Sequence, residues 1–224
     1  MADISSKAIW DKRGKDTLGA HVYALVLGVS LTWAVFLVGA GARFSYDWRY
    51  SLSLVLFTFI CAIAGIVIFN ASQKPLVSLI GVSILSFFMG LSIGPIIAYY
   101  NAEVVLTALA LTLFVTAGMV VLGTLFPNVI AKMTGILFVG LLVLLVGYFS
   151  ASLFALFGLA SDRVFGILDW FAVFLFSLYI WWDWARAMKL PKTVDNAIDA
   201  SGALIVDIVN LFLTMLRIVA RSQR

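Results

Sequence analysis

Seven runs of about 20 apolar residues occupy almost the whole chain, and they decide what it can fold into. A helix rises 1.5 Å per residue, so each run is long enough to cross a hydrocarbon core of ~30 Å. The runs lie at Leu18–Gly41, Ser51–Phe69, Leu76–Tyr99, Val104–Leu125, Gly135–Leu159, Val164–Trp182 and Ile198–Ala220. Short polar segments separate them, and the longest is Asp183–Asp199. None has room for a soluble domain. Composition agrees: 12% of the 224 residues are charged, where a soluble domain carries about 25%. The mean hydropathy of +1.11 makes lipid the solvent for most of the chain. The expected fold is an all-α integral membrane protein, a seven-transmembrane-helix bundle. Its expected organisation is a polar tail over 1–17, a single transmembrane domain over 18–220 and a short tail over 221–224. The first tail holds no apolar stretch before a small-residue cleavage site, so span one is expected to act as an uncleaved insertion signal.

Lys and Arg orient such a chain. With residue 1 inside, the inner segments carry Lys7, Lys12, Arg13, Lys15, Lys74, Lys132, Arg186, Lys189 and Lys192. The outer segments carry Arg43, Arg49, Arg163, Arg217, Arg221 and Arg224. The bias points inward, although the last three arginines oppose it. The seventh run is also the weakest. From Gly202 to Leu216 it covers only ~22 Å at the helical rise, so six spans plus a re-entrant segment is the alternative. Trp33, Trp48, Trp170, Trp181, Trp182, Trp184 and Trp10 lie mostly near span ends, as an aromatic belt does. A net charge of +4, with no basic face or motif, gives no reason to expect a nucleic-acid partner. The expected setting is the cell (inner) membrane, with membrane lipid as the first partner.

Charged residues inside apolar runs are expensive and are functional candidates for that reason. Asp207 lies inside the last run, and Asp183 ends the sixth. Asp169, near the other end of span six, reads as an interfacial acid close to Arg163. If Arg186 marks the inner interface, Asp183 lies ~4.5 Å below it, and entry of the last helix near Gly202 puts Asp207 ~7.5 Å deep on the same side. Asp195, Asp199 and Ser201 read as a wetter helix start above that level. The two carboxyls then share a level on adjacent antiparallel helices. Close carboxylates in low dielectric resist being ionised together, so a proton is shared between them and makes a pH-sensitive latch. Asn210 follows Asp207 by three residues and shares its face. It reads as a supporting polar group or as interhelical glue. Gly90-x-x-x-Gly94 fits close helix packing, and Pro95 offers a kink. One histidine, His21, rules out a histidine-rich metal site. The last run has no lysine for a retinal Schiff base, and no phosphate-cradling glycine loop is present. No enzyme activity and no cofactor are expected.

The residues resemble a known family. Asp207 and Asn210 in D-I-V-N-L-F, with Arg217 beyond, resemble the last helix of the Bax inhibitor family, also called transmembrane Bax inhibitor motif proteins. Phe176-Ser177-Leu178-Tyr179-Ile180 followed by Asp183 resembles its sixth helix. Gly90-Leu91-Ser92-Ile93-Gly94-Pro95-Ile96-Ile97, with Tyr99 and Tyr100, resembles its third. The order and loop lengths agree from about Leu25 onward. The resemblance implies a seven-helix bundle with the last helix central. It also implies a calcium leak gated by protonation of an aspartate pair, which maps onto Asp183 and Asp207. The sequence departs from the pattern in two places. Bacterial calcium-leak members carry a basic cluster with an arginine after the second helix, where this chain has Asn70-Ala71-Ser72-Gln73-Lys74, leaving Lys74 as the candidate stand-in. Trp182 stands where many relatives have tyrosine.

Two functions follow as expectations. The first is a pH-sensitive calcium-leak channel or slow transporter, with Asp183 and Asp207 as the pH gate and as contacts for calcium, the transported ion. Carboxylates are hard oxygen ligands suited to Ca²⁺, but no firm metal site is expected. The second is a non-conducting membrane regulator that binds a membrane protease or another channel.

Overall fold

Hydrocarbon offers the backbone no hydrogen-bond partner, so an apolar chain must pair its N–H and C=O groups within each segment. The computed structural model describes residues 17–158 and 162–223, and these fold into helices with no strand among them. The expectations that fall on residues 1–16, on 159–161 and on Arg224 lie outside the described residues; they include Lys7, Lys12, Arg13, Lys15 and Trp10.

Seven long helices match the seven apolar runs: α1 (Ala20–Ser45), α2 (Leu52–Ala71), α3 (Pro75–Ile97), α4 (Ala102–Leu125), α6 (Thr134–Leu156), α7 (Asp162–Ala187) and α8 (Val194–Ser222). A short helix, α5 (Pro127–Ala131), lies between α4 and α6. Each of the seven is long and apolar enough to cross a membrane. Local sequence sets the ends. Ser51 caps α2 by accepting from the Leu54 N–H at 3.2 Å. Pro75 opens α3 at the position where its missing N–H costs nothing. Gly158 follows α6 at φ +71°, a conformation that strains other residues. Pro95 lies in the last turn of α3, which ends two residues later at Ile97.

The last helix differs most from expectation. It is one unbroken helix of 29 residues, ~44 Å long at 1.5 Å per residue. The span read as short is therefore long enough without a re-entrant turn. The extra length comes from residues read as a wet linker: α7 continues to Ala187 and α8 already begins at Val194. Asp195, Asn196, Asp199 and Ser201 are all buried. Protein groups replace water around them. The Ser78 hydroxyl donates to Asp195 Oδ1 at 2.7 Å, and Asn196 Nδ2 donates to the Pro191 carbonyl at 2.7 Å. In its most apolar stretch α8 is 56% buried, against 17–44% for the other spans.

The chain forms two compact units, each discontinuous in sequence. The first comprises Met1–Ile96 and Ala187–Ile205, and the second comprises Ile97–Arg186 and Val206–Arg224. In the first unit, glycines let helix backbones touch. A Cβ on Gly41 would collide with the Phe87 carbonyl of α3, and a Cβ on Gly90 with the Val38 carbonyl of α1. A Cβ on Gly94 would meet Ala42 and Ser45, so both glycines of the Gly90-x-x-x-Gly94 pair face α1. Gly65 and Gly81 make the equivalent contact between α2 and α3. In the second unit a core of Leu137, Leu144, Ala172, Leu175 and Ala185 joins α6 to α7. Two indoles read as belt residues tie this unit internally. Trp182 Nε1 donates to Thr134 at 3.0 Å, and Trp184 Nε1 donates to Thr124 at 2.9 Å.

Two outcomes follow. Gly90→Ala forces backbone apart and lowers the stability of the solubilised protein by about 1–3 kcal/mol, whereas Gly28→Ala, with open space around its Cβ, leaves the melting temperature in place. Equal melting curves for the two variants would contradict the α1–α3 contact. Seven crossings also put reporters fused at residues 1 and 224 on opposite faces of the membrane. Signals from the same face would reduce the crossings to an even number.

Candidate functional site

Asp183 lies one turn before the end of α7, with its side chain only 10% exposed. Asp207 lies on α8 and is 7% exposed. Both belong to the second unit. Their carboxyls meet directly, in a side-chain hydrogen bond between the two residues. Two carboxylate oxygens in contact repel unless a proton stands between them. Asp207 Oδ2 is buried and accepts no hydrogen bond from any described residue. Tyr179, one turn before Asp183, lies close enough to feel both carboxyl charges.

A cation completes the group. Arg186 Nη1 lies 3.7 Å from Asp183 Oδ1, and its guanidinium covers the Trp182 ring at 5.4 Å. The Arg186 guanidinium offsets one carboxylate charge at most, in surroundings that screen poorly. Spacing made this partner visible, because residues three apart share a helix face. From sequence, Arg186 marks only an interface and Lys74 is the candidate cation. Lys74 belongs to the first unit and is exposed. Its backbone begins α3, with the carbonyl accepting from Val77 and Ser78 at 2.9 and 3.1 Å. Asn210 donates to the Val206 carbonyl of its own helix at 2.9 Å, which occupies its amide one turn along from the pair.

Asp169 is not the interfacial acid of the sequence reading. It is fully buried and holds two arginines of α8. Arg217 Nε donates to its Oδ1 at 2.8 Å, Arg221 donates to Oδ2, and the Tyr148 hydroxyl of α6 donates to Oδ1. Arg217 also reaches the Tyr148 hydroxyl at 3.1 Å and the Thr214 hydroxyl at 3.3 Å. Arg217 is therefore held in place by three side chains. The available signal was the four-residue spacing of Arg217 and Arg221, which places both on one face. The partner acid is 48 positions away from Arg217, so local spacing does not disclose it.

Two other features bear on chemistry. Among the described residues, no group of three or more His, Cys, Asp or Glu side chains converges as a metal site. The aspartate pair thus offers oxygen contacts to a cation rather than a cage. Gly90-Leu91-Ser92-Ile93-Gly94 spells the G-x-S-x-G letters of a nucleophile elbow. It lies inside α3 rather than at a strand-to-helix turn, and the Ser92 hydroxyl donates to the Met89 carbonyl at 2.7 Å.

The helices and the buried acid pair define a multi-pass α-helical membrane protein with an ionisable site among its spans. The sequence matches the family described as "Inhibitor of apoptosis-promoting Bax1" over residues 17–224. The chain belongs to this Bax inhibitor family. It is 34% identical over 174 residues to a "BI1-like protein" of Arabidopsis thaliana, a match covering 73% of this chain and 64% of that relative. The chain thus spans less than two thirds of the relative's length.

Removing Asp169 strands two guanidiniums. Their side chains are 38% and 30% exposed, so water offsets part of the cost expected for a broken buried pair, leaving a loss on the order of 2 kcal/mol. Asp169→Ala therefore unfolds at lower temperature than the parent, while Asp162→Ala, at an exposed position, does not. Unchanged melting of Asp169→Ala would mean that the cluster holds nothing together.

Proposed function

We propose that this protein passes cations, calcium foremost, across its membrane, and that the proton between Asp183 and Asp207 controls the passage. The observation that carries this reading is the direct contact of the two buried carboxyls on α7 and α8. Membership of the Bax inhibitor family agrees with it, since the sequence resemblance implies a calcium leak with an aspartate gate at these positions. With the shared proton in place, the two helices are tied and the site is balanced by Arg186. As pH rises the proton leaves, and two like charges then face each other. At ~4 Å and an effective dielectric constant of about 20, their repulsion is about 4 kcal/mol. That exceeds the net worth of the hydrogen bond it replaces, about 1 kcal/mol. The carboxyls separate, and their oxygens become available to a hard cation.

Calcium flux in proteoliposomes, measured from about pH 6 to pH 8, tests the reading. The parent protein conducts more at the upper end of the range. Asp207→Asn keeps the shape of the side chain but removes the titrating partner, and flattens the profile. Asp162→Asn, exposed at the start of α7, keeps it. Asp199, read from sequence as a wet control position, is buried and does not serve that purpose. If Asp207→Asn retains the parent profile, the aspartates only hold the helices together. The regulator of a membrane protease or of another channel is then the better account.

A further inference from the structure

The second unit holds another charged group that the aspartate gate does not use. Asp169 is its one carboxylate among the described residues, and Arg217 and Arg221 are its two cations. Tyr148 and Thr214 add only neutral hydroxyls. Two guanidiniums against one carboxylate give the group a formal net charge of +1.

Its position on α8 follows from the sequence. Asp207, Asn210, Thr214, Arg217 and Arg221 fall within an arc of about 80° at 100° per residue, while Leu211, Phe212, Met215 and Leu216 fill the other sides. A line of polar side chains thus leads along one face from the aspartate pair to the arginines, ~15 Å further on at Arg217. Hydrogen bonds connect the line: the Thr214 hydroxyl donates to the Asn210 carbonyl at 2.7 Å and accepts from Arg217 at 3.3 Å. On the conducting reading, a cation that moves from the aspartates toward the far end of α8 approaches the arginines.

We propose that Arg217 and Arg221, held on Asp169, form a fixed electrostatic barrier that limits cation passage beyond the aspartate pair and discriminates by ion charge. This rests on the conducting role proposed above. The cost of passing a fixed positive charge scales with the charge of the ion, so a divalent cation meets twice the barrier of a monovalent one. The group therefore keeps a calcium path slow even when the gate is open. It also lowers calcium relative to sodium.

The test measures calcium and sodium flux in proteoliposomes for the parent, Arg221→Gln, Arg221→Lys and Asp169→Asn, with melting curves to verify folding. Arg221→Gln makes the group neutral. It raises calcium flux roughly tenfold and sodium flux less, by the charge scaling above, and leaves the pH midpoint in place. Arg221→Lys keeps the charge and stays at the parent level. Asp169→Asn takes the group from +1 to +2 and lowers flux, although it weakens the same contacts. A purely mechanical clamp would leak more in both Arg221→Gln and Asp169→Asn. The same direction of change in those two, or a calcium-to-sodium ratio unmoved by Arg221→Gln, overturns the barrier while leaving the aspartate gate standing. A parent protein with no flux at any pH overturns the conducting role and the barrier with it.

Discussion

A helix that carries Asp195, Asp199, Asp207, Arg217 and Arg221 cannot turn those side chains to lipid, and most of this structure answers that constraint. Unpaired charge in hydrocarbon costs several kcal/mol per group by the milder scales. Of the seven spans, α8 is the most buried and the most amphipathic. The other spans are apolar on nearly every side and can border lipid, as their many exposed Leu, Val and Phe side chains show. Each compact unit takes part of α8 and satisfies it locally. In the first unit, Ser78 of α3 meets Asp195. In the second, Asp183 of α7 meets Asp207, and Asp169 and Tyr148 meet the arginines.

The two ionic groups on the second half of α8 solve the same problem in different ways. Asp183 and Asp207 are two acids, and their contact is a hydrogen bond between carboxyls. Asp169 and its arginines are opposite charges with several donors to one acceptor group, and their contact does not depend on a proton near neutral pH. The α7–α8 contact is therefore acid to acid at one end and acid to base at the other. Packing of Leu175 and Ala172 against α6 supports α7 between the two ends.

The spans were legible because seven apolar runs need only a length count, and the meeting of Asp183 with Asp207 because both lie near the one connection that joins their helices. What stayed hidden depended on distant partners. Asp195, Asn196, Asp199 and Ser201 read as wet because acids shun lipid, yet the relevant medium is protein, and Ser78 lies 117 positions from Asp195. Asp169 was misread for the same reason. Nothing near it in sequence points to Arg217 or Arg221. The cation beside the pair was missed differently: Lys74 was sought by analogy with a basic cluster on another helix, while Arg186 stood one turn from Asp183.

That last substitution changes the physics of a gate. In the bacterial calcium-leak pattern, the arginine comes from a different helix, so parting the helices must also break an ion pair between them. Arg186 shares α7 with Asp183 and travels with it. Its ion pair with Asp183 lies within one helix. On the conducting reading, the contact between Asp183 and Asp207 is a hydrogen bond worth about 1 kcal/mol net, and up to about 3 kcal/mol when one partner is charged. Against it stands a repulsion of about 4 kcal/mol once the proton is gone. The difference is small enough for one protonation event to reverse, whereas an added inter-helix ion pair would oppose separation on either side of it. On the conducting reading, a cation on the same helix as one acid keeps that ion pair when the two acids part.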